Sequence, residues 1–173
     1  IQENQSLAGK DVLTQSIMQR LVLKILKQDQ AEAPFTITGL ERNDLTYQID
    51  LPNGQTAQLS GIVDRIDERE GVTRIIDYKT GRVKLANFSQ LRKPTEEYMD
   101  LYFKDPDLKS GFQGYFYGLL GQGELSGDFQ VGILGMRQLN QGIQWLQNGN
   151  SIRPELMQEF ETRLSGLVQE IYN

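Results

Sequence analysis

From residue 35 to residue 66 the apolar residues change to a two-residue period, and this run limits the fold more than any other part of the chain. Phe35, Ile37 and Gly39 alternate with Thr36, Thr38 and Leu40, and Tyr47, Ile49 and Leu51 alternate with polar residues. Arg42-Asn43-Asp44, Pro52-Asn53-Gly54 and Glu70-Gly71 read as turns. The pattern predicts four consecutive strands, the third from about Gln55 to Ile66 and the fourth from Thr73 to Lys79. Turns this short cannot carry a crossover, so the sheet is expected to be largely antiparallel here.

Helical periods flank that run. Leu13, Ile17, Leu21 and Ile25 recur every four residues, with Met18, Val22 and Leu26 in the adjoining row, so residues 11–29 are expected to form a core-facing helix capped by Asp11 and ended by Ala33-Pro34. A partner-binding helix is the other reading of that stripe. Residues 80–109 carry Thr80-Gly81, Lys93-Pro94 and Asp105-Pro106 and are expected to be irregular. Ser110 is the expected cap of a helix over residues 111–121, whose glycines would let it lie close to a sheet. Strands are expected at 128–136 and 142–147, and a last helix at 152–172 with Pro154 in its first turn. The sum is an α/β fold with a mixed central sheet flanked by helices, in a single domain over residues 1–173. The polar, featureless start at Ile1 leads us to expect a fragment, the C-terminal part of a larger protein.

Composition restricts the chemistry. The chain has no cysteine and no histidine. That removes disulfides, thiolate metal sites, serine–histidine triads and imidazole ligands. A metal here has to be held by oxygen, which points to a hard ion such as Mg²⁺, Mn²⁺ or Ca²⁺. Acid–base work falls to Asp, Glu, Lys or Tyr. No apolar run approaches the ~18–20 residues of a membrane span. The net charge of −5 argues mildly against a dedicated nucleic-acid binder. Residues 79–93 break that balance with Lys79, Arg82, Lys84, Arg92 and Lys93 and no acidic residue.

The informative stretch is Gly61-Ile62-Val63-Asp64-Arg65-Ile66-Asp67 followed by Ile75-Ile76-Asp77-Tyr78-Lys79-Thr80-Gly81. Folding the hairpin at Glu70-Gly71 brings Asp64 opposite Asp77, and Lys79 shares a face with Asp77. Two close carboxylates repel, and a divalent cation removes that penalty. A lysine beside such an ion can orient water or balance phosphate charge. The plainer alternative is that Asp64 and Asp77 pair with Arg65, Arg74 or Lys79, and D-x-K by itself is a weak signal.

Residues 61–81 resemble the nuclease domain of RecB-type and AddAB-type DNA-repair enzymes, within the PD-(D/E)XK nuclease superfamily. The resemblance implies a restriction-endonuclease-like sheet and Mg²⁺- or Mn²⁺-dependent, exonuclease-type hydrolysis of DNA phosphodiester bonds. It also implies a cytoplasmic module of a repair or recombination protein with a helicase or helicase-like partner. It places metal binding on Asp64 and Asp77, a further ligand on the Tyr78 carbonyl, catalysis on Lys79, and a supporting carboxylate on Glu41. The family's Q-x-x-x-Y motif falls on Gln113 and Tyr117, and Arg82 and Lys84 fall where phosphate would be met. Three departures stand out. The family's upstream histidine is missing, the cysteines of its iron–sulfur branch are missing, and Val63 replaces the proline of the superfamily name. A nuclease-like module that binds DNA or assembles without cutting is therefore the rival expectation.

Overall fold

The structure is a computed structural model that describes residues 9–86, 95–125, 129–147 and 151–172. The chain divides into two compact units, one up to Pro34 and one from Phe35 onward.

Among its described residues the first unit holds one helix, α1 (Lys10–Glu32). Gly9 is its N-cap and Asp11 lies in the first turn, with no side-chain cap. Ala33 is extended, as a residue before proline prefers, and stops the helix there. The expected burial of the apolar stripe is not met: no residue of α1 is buried, and Leu13 is 62% exposed. Helical periodicity reports a one-sided apolar face and carries no information on what covers it.

In the second unit, β1 (Thr36–Arg42), β4 (Val63–Arg69), β5 (Val72–Lys79), β6 (Phe129–Gly135) and β7 (Gln144–Trp145) form one sheet in that spatial order. All its pairings are antiparallel except β5 with β6. The long third strand expected from sequence is two. β2 (Thr46–Asp50) and β3 (Thr56–Ser60) pair into a separate two-stranded sheet, and the chain breaks at Gly61-Ile62 before β4. The β4–β5 turn falls at Glu70-Gly71, both at positive φ, where Gly71 adopts 79° without the Cβ clash a larger residue meets.

Among the described residues three α-helices complete the unit: α2 (Thr95–Lys104), α3 (Lys109–Glu124) and α4 (Pro154–Tyr172). α2 corrects the expectation of irregular chain over 80–109. It is ten residues long and lies between two proline breakers, yet it buries Tyr98, Met99 and Tyr102. Ser110 does not cap α3; the helix starts one residue earlier and Ser110 is buried within it. α3 does approach the sheet closely: a Cβ on Gly121 would fall 2.9 Å from Ile75 Cδ1. Ile66, Ile75 and Val131 from adjacent strands join Tyr115, Leu119 and Leu120 of α3 and Leu156 and Phe160 of α4 in one core.

Candidate active site

Side chains two apart on a strand share a face, so Asp64 follows the face of Ile66, and Asp77 and Lys79 follow that of Ile75. The β4–β5 register pairs Arg65 with Ile76, and the next step places Asp64 opposite Asp77. This is the arrangement expected from the hairpin. The β1–β4 register, with Leu40 opposite Arg65 and Arg42 opposite Val63, puts Glu41 across from Asp64 on the other side. Leu40, Glu41, Asp64 and Tyr78 line one cavity of about 460 Å³.

Asp77 is 2% exposed. Burial holds its carboxyl above the usual carboxylate range; Lys79 draws it down, and the charge of Asp64 pushes it up again. Lys79 Nζ donates to Asp77 Oδ1 at 3.0 Å and lies 2.7 Å from Oδ2. The Oδ2 contact is an ion pair without hydrogen-bond alignment, and Oδ2 has no hydrogen-bond partner among the described residues. Asp64 Oδ2 accepts the main-chain N–H of Tyr78 at 2.8 Å. Glu41 is exposed and has φ 47°, a left-handed conformation rare for a non-glycine residue.

On α3, Gln113 Nε2 donates to the Tyr117 hydroxyl at 2.6 Å. Tyr117 is buried, and burial raises its pKa against the opposing Gln113 bond, with Asp77 and Asp64 adding to the rise. A Cβ on Gly61, three residues before Asp64, would fall 3.5 Å from Tyr117 Cε1. Arg82 is exposed. Lys84 is turned to acidic neighbours, 3.1 Å from Asp107 and 3.5 Å from Asp105. Arg92 and Lys93 lie outside the described residues.

The plainer alternative holds in part, since Asp77 does pair with Lys79. Arg65 and Arg74 both close on Asp67 on the opposite face of the sheet. That buried cluster went unrecognised in the sequence. Its signal was Arg65 and Asp67 two apart on one face of β4, with Arg74 opposite Asp67 across the turn.

A divalent cation suits the donor set. Asp77 offers a buried oxygen without a hydrogen bond, and Asp64 adds a second hard carboxylate opposite it. Among the described residues no three carboxylates gather closely enough to hold an ion by themselves. Backbone, water or phosphate oxygens would fill the remaining positions.

The family model for the PD-(D/E)XK nuclease superfamily matches residues 4–172. The chain is 33% identical over 85 residues to an ATP-dependent helicase/deoxyribonuclease subunit of Clostridium perfringens (strain SM101 / Type A), an overlap of 43% of this chain and 7% of that protein. The corresponding helicase/deoxyribonuclease subunit of Clostridium perfringens strain 13 is 32% identical over 85 residues, with the same coverage. The chain thus spans a small part of the length of the curated relatives it matches.

Proposed function

The chain belongs to the PD-(D/E)XK nuclease superfamily, and from that premise we propose that it hydrolyses DNA phosphodiester bonds with a bound Mg²⁺ or Mn²⁺. The observation that carries this reading is the pairing of Asp64 with Asp77 across β4 and β5, with Lys79 on the Asp77 carboxylate. Asp64 and Asp77 would hold the cation, with the Tyr78 carbonyl as a further ligand and Glu41 as a supporting carboxylate. Such an ion neutralises phosphate charge and lowers the pKa of a bound water. Lys79, whose ammonium cannot coordinate a metal, would hold the water or a phosphate oxygen in place. Gln113 and Tyr117 would fix the approach of the DNA strand, and Arg82 would meet a neighbouring phosphate. Lys84 would do so once released from Asp105 and Asp107. By analogy with the relatives' names, the chain would work as a deoxyribonuclease module beside a helicase or helicase-like partner, and the family resemblance adds an exonuclease-type role in DNA repair.

The test is cleavage of linear single- and double-stranded DNA by the chain at low salt with Mg²⁺ or Mn²⁺. Cleavage that disappears in Asp77→Ala supports the reading. The second reading, a module that binds DNA without cutting, is favoured by the missing histidine and by the lack of a three-carboxylate cluster among the described residues. It predicts DNA binding in Ca²⁺ with no Asp77-dependent cleavage.

A further inference from the structure

On the face of the sheet opposite Asp64 and Asp77 lies a charged cluster that the proposed reaction does not use. Arg65, Asp67 and Arg74 are at most 3% exposed. Arg65 Nε donates to Asp67 Oδ2 at 2.7 Å, Arg65 Nη2 lies 2.6 Å from the same oxygen, and Arg74 Nε donates to Asp67 Oδ1 at 2.5 Å. The Phe35 ring packs against both guanidiniums, with its centroid 4.5 Å from Arg65 Cζ and 5.5 Å from Arg74 Cζ. A guanidinium held by a carboxylate along one edge and by a ring over its plane has little freedom. Arg65 then uses a third nitrogen: Nη1 donates to the hydroxyl of Tyr78 at 3.1 Å.

Tyr78 belongs to both faces. Its main-chain N–H holds Asp64 Oδ2, and its hydroxyl is held by Arg65, the residue directly after Asp64. Tyr78 is itself directly after Asp77 and directly before Lys79. The Arg65–Tyr78 bond therefore ties β4 to β5 one residue beyond each carboxylate of the pair. A change of twist between the two strands at this point would move Asp64 relative to Asp77, and the bond opposes it.

We propose that Arg65, anchored by Asp67 and Phe35, is a positioning residue that sets the spacing of Asp64 and Asp77 through the Tyr78 hydroxyl. The inference rests on the reading of that pair as a divalent-cation site. It gives the Ile-Val-Asp-Arg-Ile-Asp strand a division of labour. Asp64 faces the reaction, while Arg65 and Asp67 hold the strand from behind.

The experiment is calorimetric titration of the chain with Mn²⁺, comparing the parent, Tyr78→Phe and Tyr47→Phe, with thermal melting of each. Tyr78→Phe removes only the hydroxyl. Tyr47→Phe removes a different tyrosine hydrogen bond, 2.9 Å to Glu161, and controls for general loosening. Tyr78→Phe is expected to weaken Mn²⁺ binding about 10-fold, the lower end of what partners behind a ligand contribute. Tyr47→Phe is expected to bind like the parent. Parent-like affinity in Tyr78→Phe, or equal weakening in Tyr47→Phe, overturns the positioning role and leaves the cation site standing. A parent chain that binds no Mn²⁺ overturns the cation site itself, and the positioning role with it.

Discussion

Lys79 closes on Asp77, its neighbour two residues back on the same strand face, with Nζ 2.7 Å from Oδ2. The contact is intramolecular compensation for a carboxylate that the fold has buried. It is incomplete, because Asp77 still sits above the ordinary carboxylate range through burial and through the charge of Asp64. A site left with surplus negative charge is what a cation would relieve, and its cost to the fold can be measured.

Asp77→Asn is expected to stabilise the chain when no metal is present. The folded state keeps the Asp77 proton to a higher pH than the unfolded chain does. The contribution of Asp77 is thus full below the ordinary carboxylate value, about 3.9, and is lost as pH rises through the higher folded value. Asn cannot ionise, so its advantage over the parent should grow from acid pH to neutrality and reach about 1 kcal/mol. Melting curves from pH 4 to 7.5 in chelator check this. Saturating Mn²⁺ should then reverse the order, since only the parent gains from an ion it can bind. An advantage that does not change with pH would mean that Asp77 ionisation is not the cause.

Lys79→Ala should lower DNA cleavage by about 100-fold, the scale of a positioned proton-transfer group. DNA binding in Ca²⁺ should be largely kept. The variant also removes both influences that pull the Asp77 pKa down. Its loss of Mn²⁺ affinity relative to the parent should therefore grow as pH is lowered, because without Lys79 the buried Asp77 carboxyl holds its proton to a higher pH. Near-normal cleavage at saturating metal would reject a role for Lys79 in the reaction.

The hairpin was legible because local chemistry dictated it. Glu70-Gly71 favours the tight turn, and the two-residue period then fixes which residue faces which, so Asp64 opposite Asp77 follows from counting. Gln113 and Tyr117 were picked out by the resemblance to the Q-x-x-x-Y motif, and the structure joins them by a hydrogen bond along one helix. What the sequence hid depends on contacts between distant segments. α2 buries Tyr98, Met99 and Tyr102 in a core that no local pattern shows. The split of the third strand at Gly61-Ile62 puts β3 in a different sheet from β4, which the single run expected from Gln55 to Ile66 does not show. The ion pairs of Lys84 with Asp105 and Asp107 join distant segments, so no local pattern shows them. The unburied stripe of α1 shows the reverse limit, a clear period with no buried residue behind it.

The cluster behind the site predicts an asymmetry. Asp67 is fully buried and accepts from two guanidiniums, so Asp67→Ala leaves two buried positive charges without their shared partner. Breaking such a group from one side costs about 3–5 kcal/mol. Arg42→Ala, which removes an exposed pair with Asp44, should cost at most about 1 kcal/mol. Urea titration of the two variants measures the difference. Similar midpoints would show that the Asp67 cluster contributes no more than a surface pair.

Glu41 offers the most discriminating substitution, because two properties of the residue should respond in opposite directions. Its backbone is left-handed at φ 47°, a conformation that costs a non-glycine residue about 1–3 kcal/mol and persists where the surroundings require it. Its carboxylate lines the same cavity as Asp64. Glycine adopts that backbone freely but loses about 0.5–1 kcal/mol of chain entropy, so Glu41→Gly should gain about 1 kcal/mol net. In a chain of this size that raises the melting temperature by about 2–4 °C. The same variant should weaken Mn²⁺ binding about 10-fold if the carboxylate supports the cation. Glu41→Ala keeps the backbone cost and loses the carboxylate, so it should show the weakened binding without the gain in melting temperature. A Glu41→Gly chain that melts higher and binds Mn²⁺ like the parent would reduce Glu41 to a solvated carboxylate at the end of β1.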